Sequence, residues 1–536
     1  MDGTSPDSLH GAYHVQAQRP CAYCAAFDLL DARPLASAGA PLAPPAALWA
    51  GPGVFLAGLA LEAPEIVAGL AITLALLFVM GVTALRASAS VLAPRWSARH
   101  PLDDASLPVI SVIIALHDEA EVVPGLAAAL SRLDYPRGKL DIILALEAHD
   151  TATCTAARAA RRRGRWRVLA APPCGPTTKP RALNYALQAA RGSLIAVYDA
   201  EDAPHPAQLR AAAEAFAADA RLGVVQAPLG WYNARDNWLT RQFALEYAAQ
   251  FHALLPLYAR LGWPLPLGGT SNVFRRAALD KCGGWDPFNV TEDADLGFRL
   301  ALHGWRAGLI GPSTLEEAPV TLKAWTGQRS RWLKGHFITW LVQMRQARQL
   351  CDAAGPGALA CLHLTMAANA ISALVFPAGL AAIIIALVLA GTGWTQGLPG
   401  AFAGLAALAA AIACARSGAR RAGFRPAWRD LASMPTYWLL QAPAMMRALR
   451  ELPARPYLWV KTRHGVSTAR RDNPDVPASH DPGHGRSRRP VPVLRLAGGA
   501  AQQSAQTPPD PLDRRSHSRR RRLPVSAGAS VRPFRA

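Results

Sequence analysis

The strongest constraint in this chain is a run of 20 residues, 66–85, that carries no charge. At about 1.5 Å per residue, a helix of that length spans the ~30 Å hydrocarbon core of a bilayer. Arg86, Arg95 and Arg99 follow the run, whereas residues 1–63 hold Arg19 and Arg33 against Asp2, Asp7, Asp28, Asp31 and Glu62. Positive charge collects on the cytosolic side of membrane helices, so the chain is expected to enter the cytosol after residue 85. Residues 46–61 form a weaker apolar stretch broken by Gly51-Pro52-Gly53, a candidate for a second, shorter crossing. The first forty residues hold no continuous apolar region, and no cleavable signal peptide is expected there.

A second apolar zone covers 359–390, too long for one ordinary crossing. Pro377 is expected to kink it, leaving a crossing near 367–390. The uncharged stretch 391–399 suits an external loop and 399–415 a return crossing. Arg416, Arg420, Arg421, Arg425 and Arg429 then mark the cytosolic side again. Residues 434–449, with Pro435 and Pro443, read as an interfacial helix. The expected organisation is a largely irregular segment at 1–65, a transmembrane helix at 66–85, a cytosolic domain at 86–350, a C-terminal membrane region at 351–467 and a disordered basic tail at 468–536. Such a chain is a multi-pass protein of the inner (plasma) membrane.

Charge narrows the partners. The formal net charge is +20, and 51 of the 57 basic residues are arginine. That excess invites nucleic acid, a phospholipid surface or a phosphorylated substrate. Residues 468–536 hold 14 Arg against 5 Asp, a net of +9, ending in runs such as Arg519–Arg522. This tail lacks apolar periodicity and aromatic interleaving, so it reads as a solvated arm near anionic headgroups and no nucleic acid is expected. Cys21 and Cys24 form a lone CxxC among eight scattered cysteines, with no second pair to complete a zinc site.

Between the membrane zones the pattern changes. Short apolar runs at 109–115, 141–146, 167–170 and 194–198 alternate with helical segments. That alternation predicts an α/β domain with a mostly parallel sheet, whose ligands bind at the carboxyl ends of the strands. No GxGxxG follows the first run, and Gly175-Pro176-Thr177-Thr178-Lys179 lacks P-loop spacing, so a classical dinucleotide or ATP site is disfavoured.

The strand ends are acidic instead. Residues 194–198 run into Asp199-Ala200-Glu201-Asp202, where two carboxylates at alternate positions can share a hard divalent cation that also holds a diphosphate. Lys179, before a helix, suits a phosphate contact. Thr291-Glu292-Asp293 opens another helix: Thr291 is a good N-cap, and acids in the first turn favour the helix dipole. Its functional reading puts Asp293 at a cleft mouth, accepting a proton from a sugar hydroxyl. Gly268-Gly269-Thr270-Ser271-Asn272 is a permissive loop that allows close ligand approach. In Gln328-Arg329-Ser330-Arg331-Trp332, helical spacing puts Gln328, Arg331 and Trp332 on one face, a set able to grip a diphosphate and stack on a sugar ring. His336 and Trp340 continue that stripe, and Trp340 also suits an aromatic belt beside a membrane.

In this order, Asp199-x-Glu201, Thr291-Glu292-Asp293 and Gln328-x-x-Arg331-Trp332 resemble the family 2 glycosyltransferases, in the branch of cellulose, chitin and hyaluronan synthases. The likeness is greater still to bacterial membrane glycosyltransferases of exopolysaccharide clusters. It covers roughly residues 108–350, and the stretch 457–465 (YLWVKTRHG) fits it as well. The resemblance implies a Rossmann-like, nucleotide-sugar-binding domain of the GT-A type flanked by transmembrane helices. It implies that Asp199 and Glu201 hold Mg²⁺ or Mn²⁺ on the donor diphosphate, with Asp202 as a further acid, and that Lys179 touches the phosphates. Asp293, beside Glu292, becomes the catalytic base for inverting attack on the anomeric carbon. Gln328 and Arg331 hold the leaving diphosphate, Gly269, Thr270 and Trp332 the acceptor, and Glu147 and Asp150 the nucleotide base or ribose. Two departures stand out: His117-Asp118-Glu119 ends the first strand where many relatives have a proline and a tyrosine–asparagine pair, and His149 occupies a position where the pattern has an acid.

The expected activity is therefore transfer of a sugar from a nucleotide-diphosphate donor to a growing polysaccharide. QxxRW favours that reading through its association with processive enzymes, and separate subunits would then serve export. Transfer of a single sugar to a lipid carrier is the alternative within the enzyme class, favoured by the small number of crossings. A catalytically inactive scaffold or sensor is the alternative outside it.

Overall fold

The computed structural model describes residues 20–42, 58–92 and 101–457. The tail at 468–536, most of the 46–61 stretch and all but the first residue of 457–465 lie outside the described residues.

Ten strands build the domain: β1 (Ile110–Leu116), β2 (Leu140–Glu147), β3 (Arg167–Ala171), β4 (Leu194–Tyr198), β5 (Ala203–Pro204), β6 (Leu222–Gln226), β7 (Leu229–Trp231), β8 (Asn272–Arg275), β9 (Arg306–Leu309) and β10 (Thr314–Glu316). Seven of them form one sheet in the order β3-β2-β1-β4-β8-β6-β9, and β5-β10-β7 form a small second sheet. The first four strands run parallel, as their continuous apolar sequences require of a sheet covered on both faces. Alternate side chains divide between two cores. Ile113, Ile143, Ile195 and Val197 face one, and Val112, Ile114, Leu144, Ala196 and Tyr198 face the other. β8 breaks the parallel pattern, pairing antiparallel with both β4 and β6. β1 lies between β2 and β4, so the chain order reverses beside β4, the position where open α/β sheets hold ligands.

Among the described residues, three helices are long and apolar enough to cross a membrane: Pro64–Leu92, Pro356–Ala390 and Leu398–Arg421. The first exposes Leu70, Ile72, Leu74, Leu77 and Met80, which suits lipid as solvent. In the second, the irregular turn lies at His363–Ala367, and the helix Ala368–Ala390 continues through Pro377, where a kink was expected. In place of one interfacial helix at 434–449 there are two, Met434–Leu439 and Gln441–Glu451. Their Tyr437, Ala444, Met445 and Ala448 pack against Trp325 and Leu333, because an apolar stripe at helical spacing finds a protein surface beside it.

The described part of the N-terminal segment is more ordered than its sequence implied. Ala22–Ala32 is a helix with Ala25, Ala26 and Leu29 buried at i, i+1 and i+4, and Asn184 donates to the Ala25 carbonyl at 3.1 Å. Asp286 accepts from the Ala38 amide at 2.6 Å and the Ser37 hydroxyl at 2.9 Å, and Arg345 donates to the carbonyls of Ser37, Ala40 and Pro41. These contacts pin a strap of chain to the α/β domain.

Candidate active site

β4 carries Asp199 to the carboxyl edge of the sheet. The Asp199 amide donates to Asp202 Oδ2 at 2.8 Å, and the Thr270 hydroxyl also donates to Asp202, so the acidic turn is held by its own third carboxylate. Burial, then the charges of Asp199 and Glu201, push the Asp202 pKa well up. Lys179, first residue of the helix Lys179–Ala189, forms an ion pair with Asp199 and donates to the Gly269 carbonyl at 2.7 Å. Burial works against its ammonium, but the Asp199 and Glu292 carboxylates outweigh it and raise the pKa.

Opposite stand Glu292 and Asp293, in the first turn of the helix Glu292–Leu302. Thr291 occupies the N-cap position, yet its hydroxyl makes no capping bond; it lies 3.4 Å from Asn289 Oδ1 and from the Thr339 hydroxyl. A Cβ on Gly269 would sit 3.4 Å from Asp293 Oδ2 and 3.9 Å from Lys179 Nζ, so the absent side chain leaves room between Asp293 and the Lys179–Asp199 ion pair. Burial, reinforced by the Asp293 charge, raises Glu292 to about 7; burial also raises Asp293.

The helix Leu322–Met344 supplies the third wall. Arg331 donates to the Val290 carbonyl at 3.3 Å, and Gln328 Oε1 is buried with no hydrogen-bond partner among the described residues. The Trp332 ring stacks on Phe243, with centroids 5.9 Å apart and planes at 11°. This helix approaches the Thr291 turn closely at Gly335, where a Cβ would meet Thr291 at 2.4 Å.

A single cavity of about 1430 Å³ is lined by Glu147, Lys179, Asp199, Glu201, Gly269, Thr270, Glu292, Asp293, Gln328, Arg331 and Trp332. Two expected site residues are missing from its wall: Asp202, turned into the acidic loop, and Asp150. Asp150 caps the helix Thr151–Ala159 through the Thr153 amide at 3.1 Å and accepts from the Asp118 amide at 2.7 Å. It lies instead with Asp118 and His117, the last of which is on the cavity wall, in a cluster whose ligand atoms are within 4.8 Å of one another. Glu147 reaches the cavity but is held in a buried ion pair with Arg181.

Two features of the site had no sequence signal. Glu316, at the end of β10, lines the cavity with a buried Oε1 that has no hydrogen-bond partner among the described residues. Burial and the neighbouring Asp202 and Asp199 charges raise its pKa well above the ordinary value. Arg329 makes a double hydrogen bond to Glu246 at 2.7 and 2.5 Å, and its guanidinium lies 4.9 Å from the Trp332 ring centroid. The arginine between the expected contact residues thus fixes the tryptophan's platform.

Asp199 and Glu201 at the end of the central parallel strands, faced by Glu292, Asp293 and an Arg–Trp helix, stand at the carboxyl edge of an α/β domain of the GT-A type. Residues 108–335 match the family model described as glycosyltransferase like family 2. The beta-monoglucosyldiacylglycerol synthase of Trichormus variabilis is 32% identical over 238 residues, 44% of this chain and 50% of that protein. The probable glucomannan 4-beta-mannosyltransferase 6 of Oryza sativa subsp. japonica is 29% identical over 241 residues, 43% of this chain and 42% of that protein. The chain thus spans about half the length of the curated relatives it matches. Among solved structures, the mannosyltransferase PcManGT of Pyrobaculum calidifontis, in complex with GDP-Man and Mn²⁺, aligns over 70% of this chain and 98% of its own at 19% identity, with a TM-score of 0.42.

Proposed function

We propose that the chain transfers a sugar, with inversion, from a nucleotide-diphosphate donor to the hydroxyl of a lipid or lipid-linked acceptor, on the cytosolic side of the inner membrane. One observation carries this reading. The cavity that holds Asp199 and Asp293 continues between the membrane-type helices, where Phe78, Ile371, Phe376, Leu380, Ile383 and Ala407 form its wall. A growing polysaccharide needs hydroxyl and ring partners along its path, whereas these side chains offer only apolar surface, the solvent an acyl or prenyl chain requires.

The donor chemistry fits a hard divalent cation: Asp199, Glu201 and Glu316 are carboxylates on one cavity wall, and Glu316 has a buried Oε1 with no hydrogen-bond partner among the described residues. Asp199 and Glu201 would hold Mg²⁺ or Mn²⁺, which when bound neutralises charge gathering on the departing diphosphate. Lys179 and Arg331 add fixed positive charge to the same group, and the Gln328 amide orients it. Asp293 accepts the proton of the acceptor hydroxyl as that oxygen attacks the anomeric carbon. Trp332, immobilised by Phe243 and Arg329, offers its face to the acceptor sugar or headgroup and keeps water from the reacting carbon.

Membranes carrying the full chain, incubated with a panel of radiolabelled nucleotide sugars, test this reading. The expected result is a short labelled product that partitions into organic solvent, formed with Mn²⁺ or Mg²⁺ and abolished by a chelator. A long, water-soluble product would replace the lipid acceptor by polysaccharide elongation. Absence of donor binding to the purified chain, with or without metal, would leave only a non-catalytic scaffold or sensor.

A further inference from the structure

The helix Leu398–Arg421 carries an exposed stripe at Phe402, Leu405, Ala409, Ala413, Arg416 and Arg420, recurring every three or four residues along one face. From Phe402 to Arg420 this stripe rises about 27 Å, close to the thickness of a bilayer's hydrocarbon core. Its apolar part suits acyl chains, and its two arginines fall at the level of the headgroups. The opposite side of the helix end is already committed. Arg421 donates to the carbonyls of Ala89, Ser90 and His252, and the Ser417 hydroxyl donates to the Ser90 carbonyl.

Beyond Arg421 the chain reverses. Gly423 takes φ 91°, a left-handed conformation that favours glycine, and the Phe424 amide donates to the Ala419 carbonyl at 3.0 Å. The reversal brings Arg425 back beside the helix end, and Arg416, Arg420, Gly423, Phe424, Arg425 and Pro426 line a concavity of about 610 Å³. Arg416, Arg420 and Arg425 are exposed, and none forms an ion pair with a carboxylate among the described residues. Trp428, at 81% exposure, projects just beyond. Three uncompensated guanidiniums around a hollow, with an aromatic ring beside them at one end of a lipid-facing stripe, match a phosphodiester attached to acyl chains.

We infer that this concavity binds the phosphate headgroup of an anionic phospholipid, with the acyl chains lying along the Phe402–Ala413 stripe. The site lies outside the carboxylate cavity and does not depend on transfer chemistry, so a failure of the sugar-transfer reading leaves it standing.

Photocrosslinking of the full chain in mild detergent with a photoactivatable phosphatidylglycerol tests it. Labelling is expected to map to peptides spanning 402–429. Unlabelled phosphatidylglycerol should displace it, and neither phosphatidylcholine nor inorganic phosphate should do so. The R416Q/R420Q/R425Q variant should lose about tenfold or more of that labelling, because each arginine adds to the attraction of an anionic headgroup. Substituting the tail, R519Q/R520Q/R521Q/R522Q, should leave it intact. Displacement by phosphatidylcholine to the same degree would reduce the site to ordinary lipid contact, and displacement by inorganic phosphate would make it a free-anion site. Labelling that follows the tail arginines instead would move the lipid contact there. Each of these overturns the inference, and labelling of the unmodified chain decides it even if the triple variant does not fold.

Discussion

Asp293→Asn should lower kcat by about 10²–10⁴-fold while leaving donor affinity nearly unchanged. The asparagine keeps the shape and burial of the side chain, so the Gly269 gap and the Lys179–Asp199 pair remain in place. What disappears is the carboxylate proposed to accept the proton of the acceptor hydroxyl. The pH profile separates this role from a structural one. Burial raises Asp293, and burial with the Asp293 charge raises Glu292 to about 7. A base works only when ionised, so the rate should fall as pH drops through the titration of this pair and protons return to the carboxylates. Glu292→Gln removes one negative charge beside Asp293 and should shift that acid limb to lower pH; Asp293→Asn should abolish it. Donor binding by titration calorimetry and initial rates across pH 5–9 check both outcomes. A kcat for Asp293→Asn within a few-fold of the parent would remove Asp293 from the chemistry.

Arg299→Met should destabilise the chain by about 3–5 kcal/mol, because it strands a buried charge. Asp295 and Arg299 are 0% and 1% exposed, joined at 2.6 Å within one helix. Arg299 also donates to the carbonyls of Cys282 and Gly284, both at 2.8 Å, and Gln343 donates to the other Asp295 oxygen at 2.8 Å. The pair thus ties the Asp293 helix both to the preceding loop and to the helix bearing Gln328 and Arg331. Methionine fills the volume but leaves Asp295 with one donor and two carbonyls with none. The half-life of the detergent-solubilised chain at a fixed elevated temperature, read by retained donor binding, is the suitable measure where unfolding is irreversible. The double variant Asp295→Leu with Arg299→Met removes both charges and should recover much of the loss. Equal instability of single and double variants would assign the effect to packing.

Much of the domain was legible because its signals are local. The apolar runs at 109–115, 141–146, 167–170 and 194–198 lie within one or two residues of β1 to β4, since a strand covered on both faces must be apolar throughout. The same reasoning misses β8: a four-residue buried strand carries no periodicity that gives its direction, and antiparallel insertion between β4 and β6 is set by pairing alone. The acid turn after β4 and the Thr291–Asp293 segment could be read at strand and helix boundaries. Glu316 could not, because its neighbours Asp199 and Asp202 are more than a hundred residues away in sequence. Arg329, between Gln328 and Arg331, carries no signal of its own in the sequence. Glu246, 83 residues upstream, and Tyr437, 108 residues downstream, make it the clamp under Trp332.

The uncharged run at 66–85 and its flanking arginines determined by themselves that part of this chain requires lipid as solvent, since hydropathy and charge act without regard to partners. The acids at the strand ends likewise set the class of chemistry in advance. Only the tertiary structure decided that the acidic site and the membrane helices share one cavity, which turns the acceptor reading from a polymer toward a lipid. It also gave the excess positive charge two different settings: Arg421 spent on backbone carbonyls, and Arg416, Arg420 and Arg425 left facing a hollow. The physical reason is common to both. A residue's type fixes the interactions it can make, but burial and neighbours distant in sequence decide which of them remain unspent for a ligand.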